Sequence, residues 1–284
     1  MGAEEGRTRR PSPALENEAL PVPHSTSMDR RDLGNGAYAL VSLSMESRGF
    51  LAAFTERTGG VSPPPYDTLN LGLKTEDVQT RVDRNRQRLV RSLSLSSFAA
   101  GEQIHGARLA RVGKSRSGAG FEDVRTVISG VDALSVSQPN LPLAVLVADC
   151  LPIALASPEE RLLVVAHAGW RGVASGILAR AVGEFEKPSG VLAVIGPAIG
   201  PCHYAVGDEV AEAVASGSGS GAVTERRRGR RYLDLPRTAE RSFRADGVRS
   251  IEVSELCTAC HPDRFFSYRR EGSTGRQALV SVMM

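Results

Sequence analysis

Apolar positions in this chain fall into short runs separated by turn residues. The densest runs lie between Leu141 and Gly172, LPLAVLVADCLPIALASPEERLLVVAHAGWRG. Runs of Val, Leu, Ala and Ile bounded in this way predict buried strands. Here Ser157-Pro158-Glu159-Glu160 reads as the loop of an antiparallel hairpin. With those four residues as the loop, Ala156 faces Arg161 and, six steps out, Cys150 faces His167. Directly opposed residues on one sheet face hold their Cβ atoms about 4.5–5.5 Å apart, which lets a thiolate and an imidazole share one tetrahedral zinc. The inference depends on register, because a slip of one residue turns one of the two side chains to the other face. Pro152 fits such a ladder poorly, since it donates no hydrogen bond. A helical pattern runs from Val173 to about Glu186, entered through the turn Ala168-Gly169-Trp170-Arg171-Gly172. Free N–H groups at such a helix start favour an anion, and Arg171 adds a fixed charge.

The same patterns predict strands at Tyr38–Leu43, Phe50–Phe54, Ala107–Val112, Val191–Ile195 and Ser250–Val253. A helix opens at Thr75-Glu76-Asp77, with acidic residues in its first turn. It places Val78, Val82, Leu89 and Leu93 on one face and leaves its arginines on a solvated side. Further helices start near Asp208 and span Leu235–Ala245. Residues 1–36 are rich in Pro, Ser, Arg and Glu and predict a disordered tail. Ser216–Gly221 reads as a linker and the arginine-rich run Glu225–Arg231 as a solvated loop, so a flexible insert is expected over about 216–231.

Composition narrows the classes of function. The chain has 284 residues, and 35 basic side chains nearly balance 32 acidic ones, for a net charge of +3. The whole chain is therefore not expected to bind nucleic acid electrostatically. No apolar stretch reaches the roughly 20 residues of a membrane span, and the N-terminus lacks the apolar core of a secretory signal. Four cysteines in a chain of this length do not form a disulfide framework, and a reducing cytoplasm is the expected compartment.

Several residue types carry candidate chemistry. A Cys in an apolar run is ordinarily a small core residue, so Cys150 and His167 gain meaning only together. Asp149, just before the Cys, is placed to orient a ligand or move a proton. The Gly- and Pro-rich loop from Thr55 to Gly72 offers Arg57 and Asn70 as polar groups of a site or of an ordinary surface turn. His105, in Gln103-Ile104-His105-Gly106, is a third candidate ligand that nothing local brings near Cys150. Cys257-Thr258-Ala259-Cys260-His261 matches the haem c attachment pattern, which an unexported chain does not use. A zinc site from Cys257, Cys260, His261 and Cys202 stays open. Phe265 to Arg276, with aromatic residues, arginines and turn glycines, reads equally as an anion site or as a structural turn.

The segments TERTGGVS, YDTLNLG, NRQRL, QIHG, VDAL, ADCLP, HAGWRG, GPAIGPCHYAVG and FFSYRREGSTGR occur in this order over about residues 50–284. Together they resemble the laccase-domain family, also called multicopper polyphenol-oxidase-like proteins, purine nucleoside phosphorylases or peptidoglycan editing factors. Tyr204-Ala205-Val206 departs from the family's usual Tyr-Glu-Val. The resemblance implies a single α/β (α+β) domain over 37–284, with mixed β-sheets and helices packed outside. It implies His105, Cys150 and His167 as ligands of zinc, with copper as the other candidate metal. Three protein ligands leave zinc an open position, as at a catalytic centre. The implied reaction is phosphorolysis of adenosine, inosine and S-methyl-5'-thioadenosine, with adenosine deamination as an associated activity. In this reading Arg171, Arg57 and Asn70 contact phosphate or substrate, and Asp149 or a water relays a proton to the leaving base. The signature H-x-E with P-C-x-x-C of zinc deaminases is absent, so deamination would need a differently built site. The expected partners are a purine nucleoside and phosphate, and the chain is expected to be a monomer or small homo-oligomer. Two rival functions are copper-dependent phenol oxidation and cysteine hydrolysis of peptidoglycan precursors, with Cys150 as nucleophile and His167 as its base.

Overall fold

Alternation along the central strands decides how the molecule is layered. Residues 28–284 are described by the structure, a computed structural model. Among them the strands run β1 (Met28–Gly34), β2 (Ala37–Ser42), β3 (Phe50–Thr55), β4 (Ala99–Ala100), β5 (Leu109–Arg111), β6 (Ala133–Val136), β7 (Leu143–Val147), β8 (Leu151–Ser157), β9 (Leu162–Ala168), β10 (Leu192–Ile195), β11 (Ala205–Val206), β12 (Val223–Arg227), β13 (Arg230–Asp234), β14 (Ser250–Val253) and β15 (Gln277–Met283). The α-helices are α1 (Leu43–Glu46), α2 (Gln79–Ser92), α3 (Trp170–Ala174), α4 (Ile177–Val182), α5 (Asp208–Gly217), α6 (Leu235–Ala245) and α7 (Tyr268–Glu271).

Two six-stranded mixed sheets form the middle, ordered β1-β2-β3-β15-β7-β4 and β14-β10-β8-β9-β6-β5. In β8, Ala154 and Ala156 belong to the core shared with Phe50, Phe54 and Val145 of the other sheet. Ile153 and Leu155, one residue out of phase, belong to the core shared with Ile177, Leu178 and Phe243 of α4 and α6. This is the period of two expected of a strand buried on both faces. The outer face of the first sheet packs Ala278 and Val280 with Leu89 and Val90 of α2. The result is four layers, helix, sheet, sheet and helix, which is the mixed-sheet α/β architecture with helices outside.

Several expectations are corrected by the structure. The tail was expected to reach residue 36, yet 28–34 form β1, paired antiparallel with β2. Its sequence MDRRDLG is too polar to show a hydrophobic period. It is held by a two-residue turn, Asn35-Gly36, with φ of 54° and 74°, the left-handed pair that suits a tight hairpin. It is also held by Arg30, which donates to both carboxylate oxygens of Glu56 at 2.9 and 2.8 Å. Residues 1–27 of the expected tail lie outside the described residues. In the expected flexible insert, β12 and β13 make a second hairpin around Arg228-Gly229, with φ of 48° and 75°. The predicted long helix after the central hairpin is two short ones, broken at Gly176 with φ 86°. Arg86 of α2 does not face solvent: it is buried and donates to the carbonyls of Leu71, Gly120 and Phe121. Val78, expected on the buried face, is 51% exposed.

The register of the central hairpin is also corrected. Ser157 pairs with Leu162 and Pro152 with His167, so the loop is Pro158–Arg161, and Cys150 is not directly opposite His167. The pairing differs from the expected one by two residues. A shift of two preserves the face, so Cys150 and His167 remain diagonal neighbours on one side of the sheet.

Candidate active site and metal centre

The site forms where β8 begins and β9 ends. His167 occupies the penultimate position of β9 and is 3% exposed. Cys150 stands just before β8, after Asp149, whose φ is 93°. His105 comes from the loop before β5, also with positive φ, 63°. Non-glycine residues in this region are uncommon and need support from their surroundings. For His105 the support is one carboxylate. Asp132, 1% exposed, accepts the N–H of His105 on Oδ1 at 2.8 Å and the N–H groups of Ile104 and Gly106 on Oδ2 at 3.2 and 2.8 Å. The same Oδ1 accepts from His167 Nδ1 at 2.9 Å. That bond sets the ring tautomer and leaves Nε2 free as a ligand. Asp132 thus orients two of the three candidate ligand residues. Only the VDAL segment marked it in the sequence, without a role.

One donor atom each from His105, Cys150 and His167 lies within 4.8 Å of the others, with Cys150 Sγ 4.0 Å from His105 Nε2. The rings of His105 and His167 stand edge to face, centroids 4.8 Å apart. Gly169 closes the cradle: a Cβ there would lie 3.0 Å from both Cys150 Sγ and His105 Cδ2. Burial alone would raise the Cys150 thiol, but the His167 and His105 imidazoles bring it down to about 6. Burial alone would lower His167, but the Cys150 sulfur and the Asp132 carboxylate lift it to about 9. Burial also opposes the charge on Asp132, yet the hydrogen bonds from His167, Gly106 and His105 hold it below the ordinary carboxylate value. A thiolate and two imidazoles backed by a carboxylate fit a zinc-sized divalent cation, which replaces the protons these groups share.

The three residues line a cleft of about 500 Å³, a size that suits a small-molecule ligand. Arg171, at the first turn of α3, lines it. So does Asp149, whose Oδ1 accepts from Thr258 Oγ1 at 2.6 Å and whose Oδ2 accepts from the Arg269 N–H at 2.7 Å. The cleft also takes Lys74, Arg269 and Arg276. The last two come from the arginine-rich segment that was read equally as an anion site or a turn, and Lys74 was not singled out at all. Tyr204 adds an aromatic wall, with the Arg269 guanidinium 5.1 Å from its ring centre. Burial pushes the Tyr204 phenol up, which keeps it a neutral hydrogen-bond donor.

Arg57 and Asn70 are not part of the cleft lining. Arg57 is buried, paired with Glu271 at 2.6 Å and Asp67 at 3.2 Å, and donates to the carbonyls of Asp67 and Pro262. Asn70 is fully buried: it donates to Thr75 and Asp77, and its Oδ1 accepts the N–H groups of Gly72 and Arg276 at 3.0 Å. Both expected substrate contacts are corrected to internal braces, since every polar atom that would reach substrate is already bonded. Asn70 still bears on the cleft, because it holds the backbone of Arg276.

A family model described as multi-copper polyphenol oxidoreductase laccase matches residues 51–284. The chain belongs to this family. A relative in Geobacillus stearothermophilus, named purine nucleoside phosphorylase YlmD, is 39% identical over 241 residues, covering 80% of this chain and 88% of the relative. Purine nucleoside phosphorylase YfiH of Escherichia coli is 36% identical over 236 residues, covering 82% and 93%. The crystal structure of YlmD from Geobacillus stearothermophilus superposes with a TM-score of 0.84, covering 89% of this chain and 98% of that one. In this family member the matched region begins inside β3, so β1 and β2 precede it. Among the described residues no helix is long and apolar enough to cross a membrane.

Proposed function

We propose that the chain is a zinc-dependent purine nucleoside phosphorylase acting on adenosine, inosine and S-methyl-5'-thioadenosine. The observation that carries the reading is one cleft that combines three convergent donors, His105, Cys150 and His167, with four cations, Lys74, Arg171, Arg269 and Arg276, besides Arg86, whose guanidinium is taken up by backbone carbonyls. The relatives' names agree with it. A zinc ion held by His105, Cys150 and His167 would supply a Lewis acid at the floor of the cleft.

The remaining roles belong to the chain. Arg171, with the first turn of α3, draws phosphate to one wall, and Arg269 and Arg276 neutralise its other oxygens. Holding phosphate against C1′ converts a two-body encounter into a step within one complex. Tyr204 and the apolar side chains of Leu146 and Ile199, which line the same cleft, offer a flat surface to the purine. Each Asp149 oxygen accepts one protein hydrogen bond, and a carboxylate oxygen has room for a second. Asp149 is therefore placed to hold the water or hydroxyl that carries a proton to the departing base.

Incubation with inosine and phosphate tests the reading, with ribose 1-phosphate as readout. Phosphate-dependent release of hypoxanthine is expected, and Cys150→Ala should abolish it while the variant stays folded by circular dichroism. Hypoxanthine release without phosphate, or full activity in a folded metal-free variant, sinks the proposal. Ammonia release from adenosine in the same preparation tests the accompanying deaminase expectation.

A second reading has one observation behind it. Cys150, His167 and Asp132 are linked as nucleophile, base and orienting carboxylate are linked in a cysteine hydrolase. It leaves no task for His105, which is held in a strained backbone conformation with its Nε2 4.0 Å from the same sulfur. A chelator separates the two, since a cysteine hydrolase keeps its activity and the phosphorylase loses it. Multi-copper phenol oxidation is less well served: one thiolate and two imidazoles make a single-ion site, and the chain has five histidines in all.

A further inference from the structure

We propose that Cys202, His203, Cys257 and Cys260 form a second zinc site, closed by four protein ligands, which clasps two loops that frame the cleft. One donor atom from each lies within 4.8 Å of the others. Cys202 Sγ is 3.3 Å from Cys260 Sγ, and His203 Nδ1 is 3.4 Å from Cys260 Sγ and 3.9 Å from Cys257 Sγ. Bonds of about 2.3 Å to sulfur and about 2.0–2.1 Å to nitrogen around a tetrahedron require edges of roughly 3.8 Å between sulfurs and roughly 3.5 Å between sulfur and nitrogen. The cluster brackets those edges before any ion draws it in.

The ligands arrive as two pairs. Cys257 and Cys260 have the C-x-x-C spacing common in structural zinc sites. Cys202 and His203 are adjacent in the turn after Gly200. His261, the histidine next to Cys260 in sequence, is not in the cluster; His203, from a distant loop, takes the place expected of it. The Gly200 N–H donates to Cys257 Sγ at 3.2 Å, the backbone contact that favours a thiolate ligand. A Cβ on Gly200 would lie 3.3 Å from Cys257 Cβ and 3.5 Å from Cys202 Sγ, so the backbone lies close against the sulfurs. A disulfide accounts for less. The Cys202 and Cys260 sulfurs are unbonded, and joining them would not account for the convergence of Cys257 and His203 on the same point.

The closed site has a physical consequence for the cleft. Thr258, between the two cysteines, donates to Asp149 at 2.6 Å and ties its N–H to the Ala198 carbonyl at 3.0 Å. Arg270 donates to the carbonyls of Thr258 and Ala259 at 2.7 and 3.1 Å. Tyr204 follows His203 directly. A metal joining the two loops therefore holds Asp149 and Tyr204 in place without touching substrate.

The test uses the reduced full chain, dialysed against zinc alone, with metal content measured by mass spectrometry. Two equivalents per chain are expected, falling to one in Cys202→Ser/Cys260→Ser and to one in Cys150→Ala. With cobalt in place of zinc, three of the four cysteines report on the second site. The thiolate charge-transfer band should keep about three quarters of its intensity in Cys150→Ala, a measurement that needs no second-site variant to fold. One equivalent in the reduced wild type that is lost in Cys150→Ala overturns the proposal, as does a band lost entirely in Cys150→Ala or a Cys202–Cys260 disulfide in the zinc-loaded chain. The two variants keep the outcomes apart: loss of the Cys150 site with the other intact bears on the phosphorylase reading alone.

Discussion

At the scale of single residues, the candidate active site depends on groups that touch no substrate. Asp132 receives four hydrogen bonds from the two histidine segments. Asp132→Asn keeps the shape but replaces one acceptor oxygen by a donor. It should weaken metal binding at the proposed site by about 10–100-fold, read by chelator competition, with the fold intact by circular dichroism. Unchanged affinity would show that the His167 ring needs no such partner. Gly169 makes a second case. Its φ is −77°, so the backbone tolerates a side chain, but the Cβ of Gly169→Ala would press on Cys150 and His105 at 3.0 Å. Metal affinity should fall by a factor on the order of ten while the thermal midpoint barely moves. A large drop in the midpoint with affinity unchanged would place the cost in the fold instead.

At the scale of elements, the C-terminal segment around α7 is held by charge. Glu271 accepts from Arg57 at 2.6 Å and Arg270 at 2.8 Å, and also from Thr274. Burial would raise its carboxyl, but Thr274, Arg270 and Arg57 together hold it below the ordinary value. A carboxylate whose pKa is lower in the folded state contributes stability that is complete above the unfolded value, about 4.3, and is lost as pH falls through the folded one. Urea midpoints should therefore drop on acidification below that range. Glu271→Gln should be less stable at neutral pH by about 1–3 kcal/mol and show a shallower acid loss; an equally steep loss would remove Glu271 from the account. The same segment explains why Arg57 misleads in sequence. An arginine in a Gly- and Pro-rich loop reads as a site residue, yet its partners, Asp67 and Glu271, are contributed by its own loop and by a segment some two hundred residues away.

At the scale of the whole molecule, β1 is the outermost strand of the first sheet and keeps the more apolar β2 inside it. β1 covers the edge of β2, and its Arg30 joins Arg264 on the fully buried Glu56 side chain. A chain beginning at Ala37 would expose the N–H and C=O groups of β2 and leave Glu56 with one cation fewer. Exposed edges template further pairing, so this truncation should aggregate with rising concentration in light scattering. A truncated chain as monodisperse and heat-stable as the parent would mean that β1 is dispensable. The strong apolar strands and α6, over Leu235–Ala245, could be read from pattern alone because burial imposes a period on them. β1 and the β12–β13 hairpin could not, since their side chains are mostly polar and only their Asn-Gly and Arg-Gly turns carry a signal.

What the amino-acid order determined by itself was local. It marked the strongly apolar strands and the amphipathic helices, showed that Cys150 and His167 share a sheet face and, through the motif resemblance, showed which residues are the candidate donors. Periodicity does this because it reports the side each residue presents within its own element. Only the tertiary structure decided which distant loops meet. It put Asp132 beneath both histidines and drew Lys74, Arg269 and Arg276 to the cleft. It turned Arg57 and Asn70 inward and chose His203 over His261 beside the cysteine pair. Those choices come from packing two sheets and their connections around one core, and separation along a chain carries no measure of distance across it.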